Sequence, residues 1–386
     1  MLKKLSLQKS NGFSESRYFF VLLICLVVSF PALSRAEQHD DDGIKEESAV
    51  SVLNQDDQEN ELIQKLKVFG WLDTTYKDNT KKNNKQYFDS SHLYLILDAQ
   101  ISDRWRAFAE MEYEHAPDTS RDNVDFDNEK YSSTGKVLLE RSYIEYNLRD
   151  EAQFRAGKYN TPLGIWTPAH WSIYVDTTAK PIHEAKHYVS SKQVGAQFFG
   201  NAFPSDMLEL NYSAYTSNGS EQRDQFGSNK PSDDKLAYGS DMRVKFMEDY
   251  MFGYSFNHTK ATVNYPAINR VNKTHMVYSD LLLPSDVVLR GAYFYQVRDH
   301  GYDDIETYYA KIKYSFMEKW YINYRLERGD LESSGKRNNR ETANVMTLAY
   351  WPLTTVRTRL EFVTHRYQKN INGAYNEWSA WIGILF

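Results

Sequence analysis

Hydrophobic and polar residues alternate along most of the chain, from residue 67 to the C-terminus. The alternation comes in runs of about eight to thirteen residues separated by turn residues, a pattern typical of β-strands with one apolar and one polar face. Many of these runs have the length of a membrane-crossing strand, about nine to eleven residues. We predict sixteen strands, at 67–77, 91–101, 104–115, 136–148, 151–158, 190–199, 206–216, 236–246, 250–259, 273–282, 286–297, 305–316, 319–329, 342–351, 354–366 and 376–386.

The connectors between these runs alternate in length. Those after even-numbered strands are short, such as Ser102-Asp103, Arg149-Asp150 and Pro352-Leu353. Those after odd-numbered strands are mostly long and polar, at 78–90, 116–135, 159–189, 217–235, 260–272, 298–304, 330–341 and 367–375. Short turns on one side and long loops on the other are typical of an outer-membrane barrel with both termini in the periplasm. The sequence therefore predicts an all-β fold, a transmembrane antiparallel β-barrel of about sixteen strands.

The last eleven residues, Asn376 to Phe386, form the most apolar of these strands. A strand edge in lipid has no water to bond with, so this strand must pair with the first strand and close the ring. The face that carries Ser379, Trp381 and Gly383 holds no charge. We interpret this face as a neutral seam of the barrel interior.

Composition supports a membrane barrel over a helical membrane protein. The mean hydropathy is −0.65 and 25% of the residues are charged, yet the chain holds 29 Tyr, 20 Phe and 8 Trp. Many aromatic residues without an apolar excess fit a barrel with aromatic girdles and a wet lumen. A tyrosine-rich soluble all-β protein is the alternative.

The polar faces of the strands are predicted to line the lumen, because sixteen strands close around water rather than around a packed core. The predicted basic lining is Arg155, Arg290, Lys311, Lys313, Arg325, Arg357 and Arg359. The predicted acidic lining is Asp73, Asp98, Glu110, Glu112 and Glu145. Most of the basic set lies on strands 11 to 15 and the acidic set on strands 1 to 4, an arrangement that would place a transverse field across the pore. The alternative is local pairing of these charges. Glu140 is the clearest charge on the outward face, near a strand end.

The N-terminal region has a different character. Residues 1–36 have a basic start, an apolar core from Phe19 to Phe30 and small residues before a cleavage site after Ala36, so they are interpreted as a signal peptide. This segment contains Cys25, the only cysteine, so the mature chain has no disulfide. Residues 37–66 are acidic and are predicted to form a periplasmic tether or a short helix. The barrel is predicted to occupy residues 67–386.

Charge argues against nucleic acid as a partner. Residues 1–36 hold five basic residues and one acidic residue, so the remainder holds 41 basic and 51 acidic residues, a net charge of −10. An acidic surface repels the phosphate backbone. The partners we expect are outer-membrane lipid and lipopolysaccharide, and small polar solutes or ions.

The third long connector, 159–189, is the candidate constriction. Its aromatic residues form an apolar surface that rarely stays exposed, so we predict that the loop folds into the lumen and narrows it. The candidate constriction residues are Trp166, His170, Trp171, Asp176, Lys180 and Glu184. Residues 183–187 match the bare HExxH pattern, but a zinc site needs those residues on one helix, and Pro181 lies just upstream. We interpret the match as chance and expect no metal and no cofactor.

The stretch from Arg141 to Trp166 (RSYIEYNLRDEAQFRAGKYNTPLGIW) resembles the outer-membrane porins grouped with the phosphate-selective porin O/P family. The resemblance implies sixteen strands, an inward third loop and often a homotrimer. The terminal Phe386 is similar to the signal that the barrel assembly machinery reads on such proteins. The third connector carries two acidic residues and two lysines, so the lysine- and arginine-rich ladder needed for phosphate selectivity is missing.

These features predict a porin, a passive diffusion channel for small hydrophilic solutes or ions, and not an enzyme. A barrel lipase needs a Ser–His pair at neighbouring positions that face lipid, and His92, His115, His258 and His275 have no convincing serine partner. The alternative function is a structural or adhesive surface barrel without a channel.

Overall fold

The computed structural model describes residues 66–80, 86–114, 136–169, 171–219, 236–263, 268–299, 301–333, 336–369 and 373–386, together with four two-residue strands in the gaps. The predicted signal peptide, nearly all of the predicted tether and His170 lie outside the described residues. No helix among the described residues is long and apolar enough to cross a membrane.

Sixteen antiparallel strands form one closed barrel, which confirms the predicted fold class. In chain order the strands are β1 Leu66–Asn79, β2 Tyr87–Gln100, β3 Trp105–Glu114, β4 Lys136–Arg149, β5 Ala152–Asn160, β6 Lys192–Ser205, β7 Leu208–Ser217, β8 Ala237–Phe246, β9 Tyr250–Val263, β10 Ile268–Leu283, β11 Val287–Arg298, β12 Ile305–Met317, β13 Trp320–Ser333, β14 Lys336–Leu353, β15 Val356–Tyr367 and β16 Tyr375–Leu385. A four-residue helix, α1 Ile182–Ala185, lies between β5 and β6. The two-residue strands Asp125–Phe126 and Glu129–Lys130 pair with each other, as do Gln222–Arg223 and Asn229–Lys230.

The first and last strands close the ring. β1 pairs with β16 from Trp71 opposite Leu385 to Asn79 opposite Glu377. Beyond that register, the backbone N–H groups of Gly70 and Phe386 each donate to the other residue's carbonyl at 2.9 Å. No strand edge is left open along this seam, as a strand in lipid requires.

The strands carry their apolar side chains outward and their polar side chains inward. On β13, Ile322, Tyr324 and Leu326 are about 38–45% exposed. The residues between them, Asn323 and Arg325, are at most 1% exposed. A soluble barrel has the opposite arrangement, so this pattern fits a barrel that is surrounded by lipid.

Two of the short hairpin turns use left-handed backbone conformations. Met247 and Glu248 have φ of 52° and 63°, and Ser285 and Asp286 have φ of 67° and 55°. Two consecutive positive φ angles match the right-handed twist of the flanking strands. These turns fall close to where the sequence places them.

Several strands extend further than the alternation predicts. The connector predicted at 260–272 is largely strand, because β9 continues to Val263 and β10 begins at Ile268. The connector predicted at 330–341 is also mostly strand, with Asp330 opposite Arg340 and Ser333 opposite Lys336. Backbone hydrogen bonds hold such extensions, so they do not need alternating side chains.

The outward placement of Glu140 is wrong. The register between β3 and β4 shifts at Glu110 and Met111, which lie opposite Arg141 and Leu139. This β-bulge turns Glu140 inward next to Arg141. Glu140 is 5% exposed and its carboxylate lies 2.7 Å from the Lys192 ammonium.

Candidate functional site

The connector between β5 and β6, residues 161–191, is called the long loop. Its two ends are tied together, because the Thr161 hydroxyl donates to the Ser190 carbonyl at 2.6 Å and the Thr161 N–H donates to the Ser191 carbonyl at 2.9 Å. Gly164, with φ of 64°, turns the chain four residues after the end of β5. The Gly164 N–H then donates to the Ser255 hydroxyl on β9 at 2.9 Å.

The loop contacts the predicted acidic residues of β1 and β3. The Trp171 indole donates to Glu110 at 2.6 Å, and the Ser172 hydroxyl donates to Asp73. Trp71 on β1 donates to the Ser172 hydroxyl at 3.1 Å and lies with its ring 4.7 Å from that of Trp171. Asp73 and Glu110 are 1% and 0% exposed, so both act as acceptors for the loop.

Asp176 lies within the basic residues of β11 and β12. Its carboxylate pairs with Lys311, lies 3.4 Å from the Lys313 ammonium and lies 3.6 Å from the Arg290 guanidinium. Burial works against ionisation, but these three cations hold the pKa of Asp176 well below its ordinary value. The loop therefore supplies the anion that three predicted pore-lining cations share.

Three further predicted basic residues donate to the loop backbone. Arg325 donates to the Thr177 hydroxyl at 2.8 Å and to the Ala179 carbonyl at 2.9 Å. Arg357 and Arg359 also donate hydrogen bonds to backbone carbonyls of the loop. Their guanidinium groups donate to the carbonyl oxygens of Ile173 and Val175, each at 2.5 Å, and Arg359 also donates to that of Ser172 at 2.7 Å.

Two acidic residues complete the set and were not among the predicted site residues. Glu361 on β15 accepts the backbone N–H groups of Thr178 and Ala179 at 2.9 and 2.6 Å. Glu327 on β13 accepts the Ile182 N–H at 3.1 Å. Both lie on the polar face of their strands. The alternation of polar and apolar residues along these strands could therefore have identified them as inward-facing.

The helix α1 holds His183 and Glu184, two of the three residues that the zinc pattern requires as metal ligands or base. His183 stacks on Phe294 and Tyr309 with ring centroids at 5.4 and 6.3 Å, and Glu184 accepts a hydrogen bond from Thr167. Burial, with Arg325 nearby, lowers the pKa of His183 to about 3, and burial raises the pKa of Glu184. The helix ends at Ala185 and His187 has φ of 51°, so the pattern does not occupy one helix.

The remaining predicted residues have mixed surroundings. Trp166 is 8% exposed beneath the Arg325 guanidinium, at 5.8 Å, whereas Lys180 is exposed. Asp98 pairs with Arg106 at 2.7 Å, Glu145 pairs with Arg155 at 2.6 Å, and Glu112 lies 3.7 Å from His92. These contacts are local charge pairs. They agree, for these residues, with the alternative of local pairing rather than with a transverse field across the pore.

A cavity of about 220 Å³ lies along the inner faces of β4 to β8. Pro162 and Pro168 of the long loop bound it on one side. Its basic lining is Arg141, Arg155 and Arg243, and of these only Arg155 was predicted as a site residue. The loop therefore makes most of its ionic and backbone contacts with β11 to β15. A space with three guanidinium groups lies beside β4 to β8, where Arg243 also donates to the Gly164 carbonyl of the loop at 3.3 Å.

The fold is similar to several solved outer-membrane barrels. It matches an anion-selective porin from Comamonas acidovorans with a TM-score of 0.59 at 10% identity, covering 83% of this chain and 99% of that one. It matches the outer membrane channel DcaP of Acinetobacter baumannii with a TM-score of 0.57 at 12% identity (83% and 97% covered). It matches Salmonella typhi OmpF, in complex with daunomycin, with a TM-score of 0.56 at 13% identity (83% and 97% covered).

At identities this low, the structural similarity establishes a shared fold alone. No protein-family model matches the sequence, and no curated protein matches it. The resemblance to the phosphate-selective porin O/P family therefore stays a prediction. The shared feature is the closed sixteen-strand barrel of the porin fold.

Proposed function

We propose that this protein is an outer-membrane porin, a passive diffusion channel for small hydrophilic solutes or ions. The observation that carries the proposal is the inverted arrangement of its strands. Exposed apolar side chains cover the outside of the closed barrel, and charged side chains such as Glu110 and Arg325 are buried inside it. Charges are retained inside a barrel of this size when the interior is wet.

We propose the long loop as the constriction of this channel. Its contacts support this role, because Trp171 and Ser172 bond to β3 and β1, and residues 173–182 bond to strands β11 to β15. A segment that is bonded to such distant parts of the ring narrows the space between them. Asp176 and the arginines of β13 and β15 then hold the loop in place, and Trp166 packs beneath one of them.

The remaining parts of the chain fit the same proposal. Residues 1–36 would direct the chain to the periplasm and be removed after Ala36, and the tether would remain there. Phe386 would be read by the barrel assembly machinery, and it lies at the closing seam, where it pairs with Gly70. Three copies would associate in the membrane, and the mass of the protein in detergent tests this number.

Conductance in planar bilayers tests the channel directly. Purified protein with an intact barrel spectrum should give discrete current steps, and a variant that lacks residues 165–187 should give larger steps. Absence of steps from an intact barrel would refute the channel and favour the structural or adhesive alternative. Deleting residues 165–187 from such a barrel would also leave its bilayer recordings unchanged.

A further inference from the structure

Three arginines face the cavity beside β4 to β8. Arg141 on β4, Arg155 on β5 and Arg243 on β8 belong to its lining, and Asp241 is the only carboxylate among the described residues that line it. The lining therefore presents three positive groups and one negative group to the space beside the loop.

Each of these arginines has a carboxylate partner, and in each pair the guanidinium is the more exposed side chain. The side-chain exposures are 15% against 0% for Arg141 and Glu110. They are 20% against 10% for Arg155 and Glu145, and 27% against 6% for Arg243 and Asp241. The pairs are neutral as a whole, but the positive member of each is the one that meets solvent.

Aromatic rings hold two of the guanidinium groups in place. Arg155 lies 4.3 Å from the Tyr143 ring centroid and 4.6 Å from that of Phe199. Arg141 lies 4.6 Å from the Phe108 ring centroid and 4.5 Å from that of Trp171 in the long loop. Stacking fixes the plane of a guanidinium and directs its N–H groups sideways, in the geometry that binds carboxylate or phosphate oxygens.

The other basic wall is already occupied. Arg325 and Arg359 are 1% and 3% exposed and donate to loop carbonyls, and Lys311 is paired with Asp176. These groups have little surface to offer a passing solute. Arg290 and Lys313 are more exposed, at 23% and 22%, but both share the Asp176 carboxylate with Lys311. The positive surface of the space that the loop leaves open is therefore the one beside β4 to β8.

We infer that small anions with a carboxylate or phosphate group pass the barrel along Arg141, Arg155 and Arg243, and that these residues give the channel a preference for anions. This inference rests on the proposed channel function. These residues differ from the basic wall predicted on strands 11 to 15. Of the whole predicted basic set, only Arg155 belongs to them.

The test is the reversal potential of the full-length protein in a potassium chloride gradient. The wild-type channel should be more permeable to chloride than to potassium. Replacing both Arg155→Gln and Arg243→Gln should lower the chloride-to-potassium permeability ratio by roughly ten-fold or more, since one unit charge at about 5 Å in water changes the local concentrations of the anion and the cation roughly three- to four-fold in opposite directions. Arg104→Gln, which removes the same charge from the exposed turn before β3, should leave the ratio unchanged.

Two further measurements identify the solute chemistry. Acetate and inorganic phosphate, added separately to one side, should each reduce the chloride current of the wild-type channel and have less effect on the double variant. A block by one of the two identifies the group that binds better. If the double variant does not fold, the inference is decided by two wild-type measurements. These are the permeability ratio and the reduction of the chloride current by acetate or phosphate.

The possible failures are distinct. A cation-preferring wild-type channel, or a double variant that conducts with an unchanged ratio, would overturn the inference and leave the channel function standing. An intact barrel without current steps would instead refute the channel itself.

Discussion

Replacing Asp176 with Asn should release the long loop from the barrel wall. The substitution keeps the size and one carbonyl oxygen of the side chain but removes its charge. It leaves Lys311, Lys313 and Arg290 facing one another without the anion that they share. Arg290 retains Asp280 at 2.5 Å, whereas neither lysine has a second carboxylate partner among the described residues.

The cost follows from distance and burial. At an effective dielectric constant of about 20, a charge pair at the 3.4 Å separation of Asp176 and Lys313 is worth about 5 kcal/mol before desolvation. Removing one partner of a buried ion pair typically costs about 3–5 kcal/mol in total. We take about 3 kcal/mol, since Asn still accepts a hydrogen bond. This value raises the population of the released loop about a hundred-fold.

A cysteine at Ala179 reports the release. Ala179 packs against the buried cluster of Ala343, Val345 and Val363, and the only native cysteine, Cys25, lies in the predicted signal peptide. The thiol of Ala179→Cys should react with a small maleimide about a hundred times faster when Asp176→Asn is added, in proportion to the population of the released loop. Single-channel traces of the same protein should show larger and noisier steps.

Asp303→Asn is the matched control. Asp303 is 41% exposed and its salt bridge to Lys336 spans 3.6 Å at the surface. This control should change neither the labelling rate nor the conductance. Equal labelling rates in the Asp176→Asn and parent proteins, with both barrels intact, would refute the view that Asp176 holds the loop.

Three other substitutions test the same structure. Glu361→Gln puts an amide donor against the two loop N–H groups that Glu361 accepts, so labelling at position 179 should rise roughly ten-fold, for a loss of about 1–3 kcal/mol; no rise would contradict its role. The pKa of His183 is lowered from 6.5 to about 3 when the loop is seated, so the released loop binds more protons between these values, and seating intact above pH 6.5 should weaken towards pH 3. His183→Phe should abolish this acid dependence of channel noise above pH 3.8, the ordinary pKa of the Asp176 carboxyl, whose lowered pKa in the seated loop adds its own acid dependence below that value. A dependence that persists between pH 6.5 and 3.8 would exclude His183 as its source. Gly157 has φ of 134° and an added Cβ would lie 2.2 Å from a backbone oxygen, so Gly157→Ala should lower the yield of heat-resistant barrel, whereas Gly291→Ala, with 3.5 Å of clearance, should fold normally.

The strands could be predicted because the barrel imposes a strict two-residue period. On β12 and β13 each inward or outward position in the sequence matches the exposure of the side chain, as at Lys311 and Tyr314. The closure at Phe386 also follows from sequence, since an apolar terminal strand needs a partner. Fold class and strand count thus depend on local pattern alone.

The errors arise where local pattern carries no information. Glu140 points inward because of a bulge, and a bulge changes the register without leaving a signal in the alternation. The hairpin ends at Val263 and Ser333 continue as paired backbone through polar sequence. Both effects depend on the partner strand, which a single run of residues does not specify.

The candidate site was predicted in its parts and missed in its connections. Asp176 and Trp171 were identified because a long aromatic loop is unusual between strands. Their partners could not be assigned, because Asp176 lies 135 residues from Lys311 along the chain. Arg243 gave no signal at all, since an arginine on the polar face of one strand is ordinary until the loop leaves it beside a cavity.

The position of the loop decides what each inward charge can do. A buried guanidinium is costly unless its N–H groups find acceptors, and the carbonyls of residues 172–180 supply these acceptors to Arg325, Arg357 and Arg359. The wall and the loop therefore depend on one another, and substitutions in that wall should act first on the seating of the loop. Charges that the loop does not cover, such as Arg155, remain able to act on a solute. The same residue type thus serves structure on one side of the barrel and, in our proposal, selection on the other.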